Sequence, residues 1–413
     1  MSKNFHRTPE QIALAEERKA KRQKLLHEQP PPSVDNASLF LSRPWLDLDP
    51  RQGSRVMTWN LLAQCLVRRE LFPTSDCLKG HQRLPMLHAE LLAQAPDIMC
   101  LQEVDHLDKL LPVLEKAGYG HHYAAGPGKK HWLLNRIQEY RICENVRSEG
   151  GLRGSSFRTR NIASLLALKN LSQDKQGVLI GTTHLFWHPR QAGILIREIL
   201  RFRSEIERED WPCIIAGDFN FSPDDPAYSL LVGEQLNAEQ RERLDFSRVV
   251  HVSIDPSVPP TTAAPLADDE SEAVDPDRVI TNARRAVPAD GLLSDDELVS
   301  LFASGAVVRS AYDEGRRLST ADPDIPTFGK RMSIQPTTKG FYEPEYTSYT
   351  HYWKTVLDYI FILTDRNAVV TGLLAPHVTK NIELGLPQKG VCGSDHMSLC
   401  AEIRFEASNA TTC

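Results

Sequence analysis

Six short segments of the chain carry side chains that can bind a metal ion or transfer a proton. The segments are TWN, LQE, TTH, GDFN, LDYIF and GSDH, and their polar residues are Asn60, Glu103, His184, Asp218, Asn220, Asp358, Asp395 and His396. Mg²⁺ prefers oxygen ligands and is usually held by one or two carboxylates. Because the set contains no thiolate, the residue types favour a hard divalent cation and argue against zinc.

Apolar runs place most of these residues at the ends of predicted strands. The runs are rich in β-branched and large apolar residues and cover 55–60, 97–103, 177–184, 213–220 and 356–362. Continuous apolar runs of this length are typical of strands covered on both faces. Strand ends on one edge of a sheet converge, so the polar residues are predicted to meet there.

Helical patterns alternate with the strands. Apolar residues recur at spacings of three and four in 81–94, 105–117 and 191–209. A final strand is predicted in MSLCAEI, directly after Asp395 and His396. Strands that alternate with helices indicate a layered α/β fold.

One long stretch interrupts this order. Residues 252–340 are rich in Pro, Asp, Ala and Ser, a poor composition for a core, although 294–305 reads as an N-capped helix. We interpret the stretch as a long, partly ordered insertion, because GDFN before it and LDYIF after it belong to one chemical pattern. The prediction is a catalytic domain over 40–406, between a charged N-terminal tail (1–39) and a short C-terminal tail (407–413).

Composition excludes several classes of protein. The chain is 41% hydrophobic with a mean hydropathy of −0.36, and no apolar run approaches the roughly 18 residues of a membrane helix. The N-terminus lacks the apolar core of a secretory signal, so the expected location is cytoplasmic or nuclear. The eight cysteines form no C-x-x-C pair, which argues against a zinc site or a secreted disulfide framework.

The net charge of −6 is unevenly distributed along the chain. Residues 252–300 contain eleven acidic residues and three arginines, so the remainder is mildly basic. That balance is compatible with a substrate that carries phosphate, without pointing to one.

Taken in order, the six segments resemble the signature segments of the endonuclease/exonuclease/phosphatase superfamily. TWNLLAQ, CLQEVD, THLFWHP and EYTSYTHYWKTVLDYIF are similar to the branch that contains nocturnin, angel-type proteins and the mRNA deadenylase subunits, and most of all to fungal RNA exonucleases of that branch. The resemblance covers about residues 55–405 apart from the insertion. It implies a four-layer α/β sandwich, in which two packed mixed sheets are flanked by helices.

The resemblance also implies a Mg²⁺ site, with Mn²⁺ as a possible substitute. Glu103 would be the principal metal ligand, and Asn60 and Asp395 would support the metal or its waters. The cation would stabilise the negative charge that develops on the oxygens of a phosphodiester during hydrolysis.

The remaining residues of the set would act on the phosphate and the attacking water. The resemblance places Asp218 near the water or the leaving oxygen, and it makes His184 and Asn220 hydrogen-bond donors to the phosphate. His396 would be oriented by Asp358, since a carboxylate fixes the tautomer of an imidazole and raises its basicity. Whether Asp218 or His396 is the general base stays open.

The implied activity is hydrolysis of RNA from its 3′ end, with poly(A) or ribosomal RNA precursor tails as substrate. The expected partner is therefore single-stranded RNA. Trp187 and Tyr349, with Phe186, Tyr346 and Tyr352, are candidates for stacking on bases, and Arg158 is a candidate phosphate contact. Aromatic residues of a core and an arginine in a solvated loop explain the same residues equally well.

Two other functions stay open at this point. One is a phosphatase that acts on a small nucleotide such as NADPH. The other is an RNA-binding protein with impaired catalysis, because the segments near 131–145 and 189–191 depart from the family pattern. The sequence contains no leucine-rich repeat segment, so docking through such repeats is not expected.

Overall fold

The computed structural model describes residues 39–50, 53–125, 132–134, 162–169, 177–185, 189–246, 249–251, 283–285, 287, 293–303, 307–319, 325–364 and 368–405. The strands within these ranges are β1 (Trp45–Asp47), β2 (Ser54–Asn60), β3 (Ile98–Gln102), β4 (Tyr123–Ala125), β5 (Trp132–Leu134), β6 (Ile162–Lys169), β7 (Gly177–His184), β8 (Cys213–Asp218), β9 (Val249–His251), β10 (Ala283–Arg285), β11 (Val308–Ser310), β12 (Ser348–Tyr349), β13 (Lys354–Thr355), β14 (Asp358–Leu363), β15 (Ala368–Leu374) and β16 (Leu399–Phe405). The α-helices within them are α1 (Gly80–Gln94), α2 (Leu107–Lys116), α3 (Pro189–Glu205), α4 (Pro226–Leu231), α5 (Ala238–Phe246), α6 (Asp295–Ser300), α7 (Ala311–Leu318) and α8 (Phe328–Met332).

Two five-stranded mixed sheets form the centre of the fold. The first has the strand order β1-β15-β16-β2-β3, and the second has the order β11-β14-β8-β7-β6. In the first sheet β2 is parallel to β3 and antiparallel to β16. In the second sheet β8 is parallel to β7 and antiparallel to β14. Both sheets therefore mix parallel and antiparallel pairs.

The two sheets pack face to face because their strands are apolar on both faces. In β8, Ile214 and Ala216 face the first sheet, whereas Cys213 and Ile215 face the outer helices. This alternation follows from the two-residue period of a strand. The strands therefore have continuous apolar runs because both of their faces are buried.

Helices cover the outer face of each sheet. Leu87 and Leu91 of α1 and Leu110 and Leu114 of α2 pack against the first sheet. Helices α3 and α4 cover the second sheet in the same way, with Ile199 and Phe202 among the contacts of α3. The predicted four-layer α/β sandwich is confirmed.

Part of the stretch interpreted as an insertion contacts the central sheets. Strand β11 pairs with β14 at the edge of the second sheet. Tyr312 in α7 is buried and donates its hydroxyl to the carbonyl of Leu374, 2.7 Å away, in the first sheet. A strand of three residues is too short to stand out in a polar stretch, so the sequence pattern missed it.

The predicted N-capped helix is present as α6. The Ser294 hydroxyl accepts a hydrogen bond from the backbone N–H of Glu297, and the Glu297 carboxylate accepts one from the N–H of Ser294. This reciprocal arrangement is a capping box. No helix among the described residues is long and apolar enough to cross a membrane.

Candidate active site

One edge of each central sheet carries the residues singled out in the sequence. Parallel strands β7 and β8 end in His184 and Asp218, which lie opposite each other. Antiparallel β14 begins at Asp358, directly opposite Asp218. In the first sheet, Asn60 ends β2, so the C-terminal ends of the parallel strands and the N-terminal end of β14 supply one site.

The carboxylate of Asp218 lies at the centre of this site. Its Oδ2 atom accepts a hydrogen bond of 3.0 Å from Nδ2 of Asn60, which links the two sheets. The same oxygen is 3.6 Å from Nε2 of His184 and 3.8 Å from Nε2 of His396. Its other oxygen, Oδ1, accepts the backbone N–H of Asn220. The Asp218 carboxylate is thus buried and surrounded by polar side chains from both sheets.

Asn60 also holds the carboxylate of Glu103. Nδ2 of Asn60 is 3.0 Å from Oε1 of Glu103, and the backbone N–H of Ala63 donates to Oε2 at 2.9 Å. Oδ1 of Asn60 accepts the N–H of Leu62, which fixes the direction of the amide. One amide therefore orients the carboxylates of both Glu103 and Asp218.

Two site residues have a left-handed backbone conformation. Glu103, directly after β3, and Asn220, after β8, both have a φ of 54°. This conformation is sterically unfavourable for a residue with a side chain, especially for glutamate, and costs on the order of 1–3 kcal/mol. Such strain is concentrated at functional sites, where the surrounding fold maintains it.

His396 and Asp358 form a buried pair. Nδ1 of His396 lies 2.8 Å from Oδ2 of Asp358, and both residues are almost fully buried. The hydroxyl of Thr347 donates to the same oxygen at 2.7 Å. The pair turns Nε2 of His396 towards Asp218.

Charge around this pair shifts its pKa values. Burial alone would lower the pKa of His396, but the carboxylates of Asp358, Asp218 and Asp395 outweigh it and raise the pKa above its usual range. Burial raises the pKa of Asp358, whereas the neighbouring imidazole opposes that shift. The pair is therefore arranged to keep a proton on the imidazole.

A buried arginine lies behind the metal-ligand candidates. Arg83 of α1 is 2% exposed and donates to the carbonyls of Leu61 and Leu62, which follow Asn60, and to that of Gly393. Burial lowers the pKa of Arg83, while nearby carboxylates, first of all that of Asp395, oppose this shift. One guanidinium thus connects the loop after β2 with the loop that carries Asp395.

Asp395 and its loop are held by backbone contacts. The N–H of Tyr349 donates to the carbonyl of Asp395, and the Ser394 hydroxyl donates to the carbonyl of Asn60 at 2.6 Å. The side chain of Asp395 is buried. The structure therefore brings Asp395 to the same edge as Asn60 and Glu103.

His184 marks the solvent side of the site. Its side chain is 30% exposed, whereas that of Asp218 beside it is 2% exposed. Asn220 is half-buried and donates from Nδ2 to the carbonyl of Leu185 at 2.8 Å, so its amide also holds the end of β7. An incoming substrate would meet these two residues first.

The substrate-binding candidates have mixed outcomes. Trp187 and Arg158 lie outside the described residues. Tyr349 is 4% exposed and packs edge-on against Tyr346, so its ring has no open face for stacking, contrary to the expectation. Tyr352 in the same segment is 62% exposed and does present its ring to solvent.

Sequence reasoning missed two residues that hold the site, Arg83 and Thr347. For Arg83 a signal existed, because it shares the buried helical stripe of α1 with Leu87 and Leu91, at spacings of four. A charged residue on an apolar stripe calls for buried partners. Thr347 has no comparable signal, because its role depends on contacts with residues distant in sequence.

The donor set fits a hard divalent cation. Glu103, Asp218, Asp358 and Asp395 are all buried at one edge, so their negative charges need compensation. Among the described residues, Asp218, Asp358 and His396 offer ligand atoms within 4.8 Å of one another. Glu103 and Asp395, the predicted metal ligands, are not in that group, and their part in holding a cation stays a prediction.

A sequence profile of the endonuclease/exonuclease/phosphatase family matches residues 57–396. A probable RNA exonuclease of Schizosaccharomyces pombe is 28% identical over 387 residues, which cover 85% of this chain and 76% of that protein. The RNA exonuclease NGL2 of Saccharomyces cerevisiae is 26% identical, over 97% of this chain and 89% of its own length. The expected similarity to fungal RNA exonucleases is confirmed.

A solved structure has the same fold. The crystal structure of ANGEL2, described as a 2′,3′-cyclic phosphatase, matches 88% of this chain and 98% of its own, with a TM-score of 0.55. The sequence identity of the two chains is 20%, so this likeness concerns the fold.

Proposed function

The chain belongs to the endonuclease/exonuclease/phosphatase family and is a hydrolytic phosphodiesterase, and we propose that its reaction is Mg²⁺-dependent hydrolysis of RNA from the 3′ end. One observation carries the proposal: the three buried carboxylates of Glu103, Asp218 and Asp395 lie beside the buried His396–Asp358 pair. The named activity of the two fungal relatives supports RNA as the substrate.

In this proposal Glu103, Asn60 and Asp395 hold the metal ion. When bound, a divalent cation neutralises charge on the phosphate and stabilises the charge that develops during displacement. The network around Asn60 prepares the site for this ion, because Asn60 orients Glu103 and the N–H of Ala63 fixes its second oxygen. Little rearrangement of these ligands is then needed.

Asp218 accepts the proton of the attacking water in this scheme. Its Oδ2 is buried and close to Asn60, His184 and His396, so a water bound there would be oriented as well as polarised. His396 donates from Nε2 to a phosphate oxygen, while Asp358 holds the other ring nitrogen. His184 and Asn220, at the solvent side, contact the phosphate from the opposite direction.

The proposed substrate is the single-stranded 3′ tail of an RNA, either poly(A) or a ribosomal precursor tail. Single-stranded RNA is commonly held by stacking of its bases on aromatic side chains. Tyr352 offers an exposed ring in the segment that leads into β14, which makes it the candidate for this contact. Trp187 and Arg158 keep their proposed roles as further stacking and phosphate contacts.

The test is incubation of purified protein with 5′-labelled RNA that ends in an adenylate tail. A ladder that shortens from the 3′ end in Mg²⁺, and not in EDTA, is expected. Glu103→Gln preserves the shape of the side chain and removes its charge, so it should abolish the ladder. Glu383→Gln, a substitution at an exposed position, is the matched control and should leave it intact.

Two further measurements, phosphate release from NADPH and binding of RNA, separate the remaining functions. Release of phosphate from NADPH, with RNA left intact, would replace the proposal with a small-nucleotide phosphatase. A folded protein that binds RNA tightly and leaves both substrates intact would make it an RNA-binding protein with impaired catalysis. Mn²⁺ is expected to replace Mg²⁺ in the RNA reaction.

A further inference from the structure

Thr347 contacts the Asp358 carboxylate of the His396–Asp358 pair. It is fully buried, and its hydroxyl takes part in three hydrogen bonds. We propose that Thr347 is a positioning residue of the reaction, which aims His396 by fixing the carboxylate of Asp358. The proposal rests on the proposed phosphodiester hydrolysis.

The direction of the hydrogen bond from Thr347 is determined by its neighbours. A hydroxyl has one hydrogen to donate and two lone pairs that accept. The backbone N–H groups of Leu357 and Asp358 donate to the Thr347 oxygen at 2.9 and 3.1 Å. Its single hydrogen must therefore go to Oδ2 of Asp358, 2.7 Å away.

This direction constrains the histidine. Oδ2 of Asp358 already receives the hydrogen of Thr347, and an ionised carboxylate only accepts hydrogen bonds. The 2.8 Å contact with Nδ1 of His396 then requires the hydrogen to be on Nδ1. Nε2 is left as the ring atom that faces Asp218, at 3.8 Å.

The backbone of Thr347 ties the same groups together. Its N–H donates to the carbonyl of Thr355, and its carbonyl accepts the N–H of Met397, 2.7 Å away. Ser348 forms a bridge with His396. The threonine thus connects the β12–β13 hairpin, the start of β14 and the loop that carries His396.

Without the hydroxyl, the Asp358 carboxylate would keep one of its two side-chain hydrogen bonds and could rotate about its terminal bond. The imidazole would follow, and Nε2 would lose its direction towards Asp218. The proposal therefore predicts a loss in the chemical step with little change in substrate binding.

Thr350 provides a matched control in the same hairpin. It is also fully buried, its oxygen accepts the N–H groups of Tyr352 and Trp353, and its hydroxyl donates to the carbonyl of Trp353. The Thr350 hydroxyl therefore donates to a backbone carbonyl, whereas the Thr347 hydroxyl donates to the carboxylate of Asp358. A Thr→Val change at either position removes a hydroxyl that accepts two backbone N–H groups. Only the change at Thr347 also removes a hydrogen bond to the His396–Asp358 pair.

The experiment compares Thr347→Val, Thr347→Ser and Thr350→Val on the labelled RNA under single-turnover conditions with excess enzyme. Thr347→Val should lower the rate of the chemical step about 10- to 100-fold and change the apparent affinity for RNA less than about threefold. Thr347→Ser keeps the hydroxyl and should restore the rate. Thr350→Val should lower the melting temperature similarly and leave the rate within about threefold of wild type.

A double-mutant cycle tests whether Thr347 acts through Asp358. In an Asp358→Ala background, Thr347→Val should cause no further loss, because the carboxylate that it positions is gone. An undiminished loss in that background, an equal loss in Thr350→Val, or an unchanged rate in Thr347→Val would overturn the proposal.

A readout independent of turnover separates this inference from the proposed function. The hydrogen on Nδ1 of His396 should give a low-field proton NMR signal that is absent in Asp358→Ala. The signal should move or broaden in Thr347→Val and remain in place in Thr350→Val. If wild type does not cleave RNA, the proposed function fails and this signal alone decides, with an unchanged signal in Thr347→Val overturning the role of Thr347.

Discussion

A single carboxylate oxygen, Oδ2 of Asp218, lies within 3.8 Å of side chains that come from three other parts of the chain. Asn60, His184 and His396 each approach it from a different strand end or loop. This crowding has a cost, because Asp218 and the other buried carboxylates repel one another. A bound cation offsets this repulsion.

Mg²⁺ should stabilise the wild-type protein against unfolding, and Glu103→Gln should lose this effect. A ligand that binds only the folded state at a hundredfold excess over its Kd contributes about 2.7 kcal/mol. In EDTA the variant has one buried negative charge fewer but loses one of the two hydrogen bonds that Glu103 accepts, so its stability should stay close to that of wild type. Thermal melting with Mg²⁺ and with EDTA measures both effects, and a full Mg²⁺ shift in Glu103→Gln would remove Glu103 from the metal site.

Arg83→Met should destabilise the protein by about 3–5 kcal/mol and abolish activity. The change leaves the carbonyls of Leu61, Leu62 and Gly393 without their buried donor, and each unpaired group costs on the order of 1–3 kcal/mol. Arg83→Lys keeps the charge but loses the fork of donors, so its loss should be intermediate. Urea unfolding measures the free energy.

The control for Arg83 is Arg55→Met. Arg55 lies over the ring of Trp45 and forms an ion pair with Glu402, but its side chain is 38% exposed. Its loss should cost no more than about 1 kcal/mol. An equal cost at both positions would mean that the contacts of Arg83 with the site loops are not special.

The geometry of the active site depends on how closely strands β7 and β8 approach each other. Gly217 precedes Asp218, and a Cβ atom there would lie 2.2 Å from the carbonyl oxygen of Thr183 in β7. That is far inside normal contact distance, and the obstacle is backbone, which cannot turn aside. The glycine of GDFN is therefore required by the pairing that aligns His184 with Asp218.

Gly217→Ala should reduce activity strongly by forcing β7 and β8 apart. The expected loss of stability is several kcal/mol, as for other overpacked core positions, where costs of about 1–3 kcal/mol are typical and larger ones occur with backbone clashes. Gly120→Ala is the control, because a Cβ atom there meets nothing within 4 Å. Similar activity and melting temperature in both variants would contradict the close approach.

A buried carboxyl group away from the active site makes the stability of the protein depend on pH. Glu343 is fully buried, and its Oε1 accepts the hydroxyl of Tyr228, in helix α4, at 2.8 Å. Burial, with a further contribution from Asp313, raises the pKa of Glu343 to about 8. The folded protein therefore binds a proton at Glu343 that the unfolded chain, with a pKa near 4.5, has already released.

Stability should fall as the pH rises between about 4.5 and 8, because in this range the unfolded state binds fewer protons at Glu343 than the folded state. Glu343→Gln has no proton to lose, so it should gain stability relative to wild type as the pH rises to 8. Urea unfolding at pH 5 and pH 8 measures the difference, which is expected to be a few kcal/mol. The exposed change Glu383→Gln should leave the pH dependence as it is in wild type.

The layered α/β class, the main strands and helices, and the polar residues at the strand ends can be predicted from the amino-acid sequence alone. These features are local, since apolar runs and helical spacing reflect burial that each element experiences over its own length. Convergence of strand ends within one sheet also accounts for Asn60 beside Glu103 and for Asp218 beside Asp358, whereas the meeting of these two pairs depends on how the two sheets pack.

The orientation of these residues and the identity of the residues that hold them became apparent in the tertiary structure. The hydroxyl of Thr347 reaches Asp358 across eleven positions, and the guanidinium of Arg83 reaches Gly393 across 310. It also showed that β11 completes the second sheet and that Tyr349 is buried. Such contacts leave no periodic trace in the sequence, because each depends on the direction of one side chain towards a partner that the folding of the whole chain brings near.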